Sequence, residues 1–348
     1  MNSETSARKL ARTARVDALT PIDGADSIEA AHIGGWPVVV KKGEFQPGSI
    51  CVYFEIDSFL PSGCPAWQFL VDKSSREFEG RRGHVLRAIK LRGQLSQGLL
   101  LSPAALPQLS AVPLTPGQDV TDVLGVLKYE RPVPAELSGI ALGMFPSCVP
   151  KSDQERIQNL AAELSEWACD GETEWEITEK LEGSSCTFAW LEDGLHVCSR
   201  NIDLADSTTN SFWAAARALD IERHFQSRFR GRRLALQGEL VGPGIQDNIY
   251  ALKSTQFFLY NVYDIDEARW WLPSERQALA QELGVPHVPV VEQALSLRSH
   301  TMASLLAMAD GPSALRPQQA REGLVFKARN RAASFKAISN AYLLKQKG

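Results

Sequence analysis

Before residue 105 the chain shows almost no helical period. Its apolar residues come in short runs, and glycine or proline closes each one. Trp36–Val40 is a β-branched run, 42–48 carries turn signals, 50–56 is a second run, and Pro61-Ser62-Gly63 ends it. HVLRAIKLRG (84–93) alternates apolar and polar residues, and GLLLSP (98–103) reads as a buried strand. Short punctuated strands of this kind can close into a small β barrel. The oligonucleotide-binding (OB) type is one option, and pattern alone does not separate it from other small barrels.

The stretch 103–150 holds eight prolines and reads as a linker or wrapping connection. SDQERIQNLAAELSEW (152–167) then places Ser152 three residues before Glu155, the capping-box start of a helix. A boundary before this helix gives one domain over 1–140 and a second over 141–348. In the second, 175–178 and 184–190 read as strands, and Asp193-Gly194 turns into 195–199 as a hairpin. An amphipathic helix spans 211–229. Strands follow at 233–242 and 255–265, a helix at 272–284, and GLVFKA (323–328) and SFKAISNAYLLK (334–345) near the end. Antiparallel hairpins interleaved with helices make the fold class α+β rather than a doubly wound sheet.

With 348 residues the chain is long for one core and sufficient for two. No apolar run approaches the length that crosses a bilayer, so no membrane partner is expected. MNSETSARKLARTAR is Arg-rich without an apolar signal core. It reads as a basic arm leading into the first strand, with a transit peptide as the alternative. The six cysteines form no C-x-x-C pair, which argues against a closed zinc site, and several sit in apolar runs as core thiols. A reducing compartment follows: a cytoplasmic protein, or a nuclear or organellar one in a eukaryote, and not a secreted one. Nothing suggests an obligate oligomer, so a monomer is expected.

The net charge of −4 argues against coating nucleic acid wholesale, yet the basic residues are bunched. One group is Arg76, Arg81, Arg82, Arg87, Lys90 and Arg92. A second is Arg223, Arg228, Arg230, Arg232 and Arg233, and a third runs from Arg321 through Lys347. Each group alone reads as a solvated face, but three in an acidic chain bring a phosphate-bearing partner into consideration. Contacts from Arg81, Arg82, Arg87, Lys90 and Arg92 would track phosphates without reading sequence.

The stretch WEITEKLEGSSCTF (175–188) places Lys180 after an alternating strand and just before a turn. A surface turn is one reading, and a lysine aimed into a pocket at a strand junction is the other. A lysine nucleophile attacks when neutral, and burial or a nearby cation favours that state. If the target is a phosphate, further cations must hold its oxygens and carboxylates must hold a metal. Arg200, Glu239, Glu322, Lys327 and Lys336 stand at strand ends for those roles.

The order of these residues resembles the covalent nucleotidyltransferases: ATP-dependent DNA ligases, RNA ligases and capping enzymes. K-L-E-G at 180–183 matches their K-x-[DEHN]-G element, which is weak alone. Ser199-Arg200-Asn201, GELVGPGIQDNIY (238–250), FFLYNVYDI (257–265), EGLVFK (322–327) and SFKAISNAYLLK follow in the family's order. PKSDQERIQNL (150–160) resembles the helix entry of the RNA ligase 2-like branch. GGWPVVVKKGEFQPGSICVYFEIDSFLP resembles the barrel module that precedes the core in Deinococcus-type RNA ligases. That resemblance implies an OB-like module over 1–140 and a ligase-type adenylyltransferase domain, unrelated to ATP-grasp, over 141–348.

What the resemblance implies for chemistry is a three-step ligation using ATP and Mg²⁺ or Mn²⁺. Lys180 takes AMP from ATP, the adenylate passes to a 5′-phosphate, and a 3′-OH displaces AMP. By family position, Glu179, Gly183, Arg200, Glu239, Phe258, Tyr260, Glu322, Lys327 and Lys336 contact the nucleotide. Glu239 and Glu322 serve the metal, and Lys327 and Lys336 stabilise phosphate charge. Lys345 is the alternative to Lys336, because Ser334-Phe335-Lys336 stands where many relatives show K-x-K. The implied partner is nicked or broken RNA or RNA/DNA duplex with RNA at the 3′-OH. Two other readings stay open: a nucleic-acid-binding protein on an inactive ligase scaffold, and a DNA ligase or capping enzyme. The module in front of the core favours the RNA ligase, since those enzymes generally carry their OB domain after it.

Overall fold

The computed structural model describes residues 9–110, 113–129 and 141–345. The chain divides into two compact units, 1–132 and 133–348. The expected division at 140/141 falls at the edge of residues 130–140, which lie outside the described ones.

The first unit is built from short antiparallel strands. Ile50–Phe54 lies between Ala11–Arg15 and Leu99–Leu101, and Ile28–Ile33 lies between Ala18–Pro21 and Trp36–Lys41. Arg81–Val85 pairs with Ser58–Pro61 on one side and Arg76–Phe78 on the other. Ile50–Phe54 supplies Val52 and Phe54 to a core that also holds Leu10, Leu60, Trp67 and Leu86. The alternating run 84–93 does not form one strand. It ends one strand at Val85, forms Ala88–Leu91, and turns at Arg92 and Gly93, both with positive φ, into Gln94–Gln97.

The second unit consists of two sheets. The five-stranded one runs Glu155–Arg156, Ser334–Ile338, Gly323–Ala328, Glu174–Lys180, Val290–Ser296. In E-W-E-I-T-E-K successive side chains alternate between faces. Trp175 and Ile177 therefore join Leu324, Phe326 and Phe335 in one apolar core. Phe335 stacks on Phe326 at 4.5 Å and on Trp167 at 5.5 Å, which docks the helix Ala161–Asp170. Glu176, Thr178 and Lys180 take the opposite, polar face.

The seven-stranded sheet centres on Ser184–Leu191, Leu234–Val241 and Gln256–Asp264. Phe188, Leu236, Phe257 and Leu259 cover its apolar face, where the helices Ser211–Ala218, Ile221–Arg228 and Pro273–Leu283 pack. The single helix expected over 211–229 is thus two, broken at Asp220 with φ +51. Asn210 caps the first by accepting from Phe212 N at 2.8 Å.

The capping-box helix expected from Ser152 does not form, and the helix begins at Ala161. Glu155–Arg156 instead pairs in parallel with Phe335 and Lys336 as a sheet edge. The Ser152 hydroxyl lies 2.9 Å from that of Tyr260, and the Glu155 carboxylate accepts from Arg156 N and Asn159. Tertiary partners outweigh the local cap.

Candidate active site

Lys180 closes its strand opposite Gly323, the residue after Glu322. Its Nζ lies 2.7 Å from Glu322 Oε1, and both side chains are largely buried. Glu239 stands on the other sheet, across from Ser185 and Phe258. Gly183 lets these strands approach: a Cβ there would lie 2.4 Å from the Leu240 carbonyl oxygen and 2.8 Å from Glu239 Cγ. Tyr250 pins the same turn, its hydroxyl accepting from Glu182 N at 2.7 Å.

The electrostatics tie these groups together. Burial pulls the Lys180 pKa down, but the carboxylates of Glu322 and Glu239 outweigh it and leave the value raised. The lysine rests as an ammonium, opposite to the neutral state expected of a nucleophile. Burial pushes the Glu239 carboxyl up to about 8, with Glu322 and Glu182 adding to the rise and Lys180 and Arg200 opposing it. Glu182 is raised as well, first by burial and then by Glu322 and Asp247. Two carboxyl groups thus crowd Lys180, and Glu182 acts on both of them. Glu182 is a site residue that the residue-by-residue reading missed, although it occupies the acidic position of the K-x-[DEHN]-G element.

No group of three or more His, Cys, Asp or Glu side chains stands at ligating distance among the described residues. Magnesium rarely needs one, since it binds through one or two carboxylates with water and substrate phosphates. The carboxyl groups of Glu239 and Glu322 beside Lys180, with Glu182 close to both, fit such a cation.

The other expected residues are placed as follows. Arg200 makes a forked contact to Asp153, at 3.0 and 2.8 Å, where both are substantially exposed. Phe258 and Tyr260 share the side holding Leu181 and Val288. Phe258 is buried there, and Tyr260 is half-buried with its hydroxyl near Ser152 and Ser185. Lys327 is buried and does not reach for Glu322. Its Nζ donates to the Tyr260 carbonyl and to Asn261 Oδ1, which joins the polar faces of the two sheets. Lys336 pairs with Val325 and Arg156 on the same face as Lys180. The side chain of Lys345 lies outside the described residues.

Glu179 is not brought to Lys180. Strand alternation turns its carboxylate to the Leu324 side, where it accepts from Ala314 N at 2.7 Å, and burial raises its pKa. The second basic group is largely engaged within its own unit: Arg223, Arg228, Arg232 and Arg233 pair with Asp220, Glu282, Asp264 and Asp266. In the third, Arg321 bonds the Met308 and Ala309 carbonyls, and Arg329 and Arg331 pair with Glu174 and Asp170. In the first unit, Arg81 and Arg82 are exposed on one hairpin and Lys90 and Arg92 on the next, with Arg87 half-buried between them.

A family model described as RNA ligase matches residues 173–338, and an OB-fold domain model matches residues 10–103. No match is found among curated proteins. Among solved structures, a lysine-to-methionine mutant of Naegleria gruberi RNA ligase with AMP and Mn is 45% identical, with a TM-score of 0.88 over 97% of this chain and 98% of that one. The same ligase with PPi is 46% identical, with a TM-score of 0.88 over 97% and 98%. An apo mutant reaches a TM-score of 0.89 at 45% identity, again over 97% and 98%. Identity of this order along nearly the whole length means that this chain belongs to the RNA ligase family as an ATP-dependent RNA ligase with an N-terminal OB-fold domain.

Proposed function

We propose that Lys180 is the nucleophile of this ligase and that Glu322, Glu239 and Glu182 together hold its divalent cation. The observation that carries this is the 2.7 Å contact between Lys180 and Glu322, with Glu239 close enough to act on both. The Naegleria ligase structures contain ATP, AMP and PPi in different mutants and states, several with Mn. The same ligands suit this chain. When bound, the cation supplies charge that neutralises these carboxylates and phosphate oxygens. Were Glu322 and Glu239 engaged in this way, Lys180 would lose the groups that hold its proton. Burial, which alone pulls its pKa down, then favours the neutral amine.

The reaction balances in three transfers. Lys180 Nζ forms a bond to the α-phosphorus of ATP as the bond to pyrophosphate breaks, and the amine's proton passes to solvent. An oxygen of the 5′-phosphate then attacks the same phosphorus and Lys180 leaves. Finally a 3′-OH attacks the 5′-phosphorus and AMP leaves. Lys336 and Lys327 stabilise charge on the α-phosphate, Arg200 exchanges Asp153 for the ribose or phosphate, and Tyr260 or Phe258 stacks on adenine.

The finer assignment is a Deinococcus-type ligase, acting as a monomer on nicked duplexes whose 3′-OH strand is RNA. The module order and the exposed Arg81, Arg82, Lys90 and Arg92 support this reading. Free thiols at all six cysteines suit a cytoplasmic setting, and among the described residues no helix is long and apolar enough to cross a membrane. The test is to challenge pre-adenylated enzyme with nicked duplexes that differ only in the sugar of the 3′-OH strand. Faster sealing of the RNA-ended nick supports the assignment, and equal sealing of both rejects it.

A further inference from the structure

A buried ionic cluster lies behind Lys327, and none of the steps above uses it. Glu176 faces Lys327 directly across neighbouring strands, on the same side of the sheet, and is fully buried. Residues so paired have Cβ atoms about 4.5–5.5 Å apart. Yet neither oxygen of Glu176 goes to the lysine. One accepts from Arg276 Nη2 and the other from Gln277 Nε2, both on the helix Pro273–Leu283. Arg276 is itself buried. Its Nε lies 2.9 Å from His287 Nε2, while His287 Nδ1 lies 2.6 Å from the Val288 carbonyl. That carbonyl can only accept, so Nδ1 carries the proton and Nε2 offers a lone pair to the guanidinium. The guanidinium is fixed on two sides.

We infer that Arg276 is a positioning residue for adenylation: by claiming Glu176 it leaves Lys327 free to meet a nucleotide phosphate. This rests on the role proposed above for Lys327. The lysine's own acceptors, the Tyr260 carbonyl and Asn261 Oδ1, are both neutral and easily exchanged. Were Arg276 absent, Glu176 would be a buried carboxylate with Lys327 as its cross-strand cation. A lysine locked in that pair would present little charge to a phosphate. Burial, and then the nearby guanidinium, hold the Lys327 pKa well below its usual value, and only Glu176 opposes them.

The test follows lysyl-adenylate formation in single turnover with saturating ATP and manganese. The proteins are wild type, Arg276→Gln, Glu176→Gln/Arg276→Gln and Lys327→Ala, each checked for folding by circular dichroism. Arg276→Gln is expected to lose rate on the order of a hundredfold, the scale of a removed charge-stabilising group. The double variant, with no carboxylate left to capture Lys327, is expected to recover most of that rate. If Arg276→Gln does not fold, a folded and active double variant carries the proposal alone. Normal adenylation by a folded Arg276→Gln overturns it. So does a double variant that is slow or cannot fold, because the pair would then act through structure and not charge. An unlabelled wild type, or a normally labelled Lys327→Ala, would instead reject the reading of the site itself.

Discussion

At Lys180 burial pulls the pKa down while Glu322 and Glu239 push it up, and the carboxylates prevail. The same crowding has a measurable consequence at Glu239, whose carboxyl moves from 4.5 to about 8. The folded state binds this proton more tightly than the unfolded chain does. Its contribution to stability is complete below pH 4.5 and is lost as pH rises through about 8. Thermal melts of the ligand-free protein should therefore weaken across that window, and Glu239→Gln should remove this part of the slope. Glu176→Gln alone strands Arg276 in the interior, and we expect a loss of about 3–5 kcal/mol in denaturant unfolding. The residue types at these positions are legible in the sequence, because each chemical role admits few side chains. Their charge states are not, since those depend on which groups two different sheets bring together. Glu179 shows the same limit: its neighbour Lys180 is the proposed nucleophile, but a one-residue step along a strand reverses the face.

The turn after Lys180 is as constrained as the lysine. A methyl group at Gly183 would meet the Leu240 carbonyl oxygen and Glu239 Cγ, so Gly183→Ala must push the turn away from the neighbouring strand Leu234–Val241. Overpacking of this kind costs about 1–3 kcal/mol. We expect a lowered melting temperature together with slower adenylation, because the displaced strand carries Glu239. The strands themselves are readable from period-two alternation, as W-E-I-T-E-K shows. The helix expected from Ser152 is not, because Glu155–Arg156 finds a sheet edge beside Lys336 and Ser152 finds Tyr260. A local cap is worth about 1 kcal/mol, and a few tertiary bonds exceed it. The break at Asp220 escaped for a related reason: the amphipathic period continues across it, and only the backbone turns.

Across the whole molecule, charge is distributed by purpose more than by amount. Most of the arginines in the second and third basic groups are bound to carboxylates or carbonyls of their own unit. Arg81, Arg82, Lys90 and Arg92 stand exposed on two hairpins of the OB-fold domain. Sequence bunching made the three groups look alike, and only the fold separates structural cations from exposed ones. Replacing Arg81, Arg82, Lys90 and Arg92 by alanine should weaken binding to nicked duplex. It should also flatten the salt dependence by roughly 0.9 in log–log slope for each phosphate that is no longer neutralised. Lysyl-adenylate formation should be unchanged, since every group proposed for that step lies in the second unit.

The most direct measurement incubates the purified protein with α-labelled ATP and magnesium or manganese, resolves it on a denaturing gel, and runs Lys180→Ala alongside. Intact mass first establishes that the protein is not already adenylated. Label on the wild type and none on Lys180→Ala is the expected result, with the label discharged as AMP when a nicked duplex with an RNA 3′-OH end is added. Label retained by Lys180→Ala, or no label on unadenylated wild type, would contradict the assignment of Lys180 as the nucleophile.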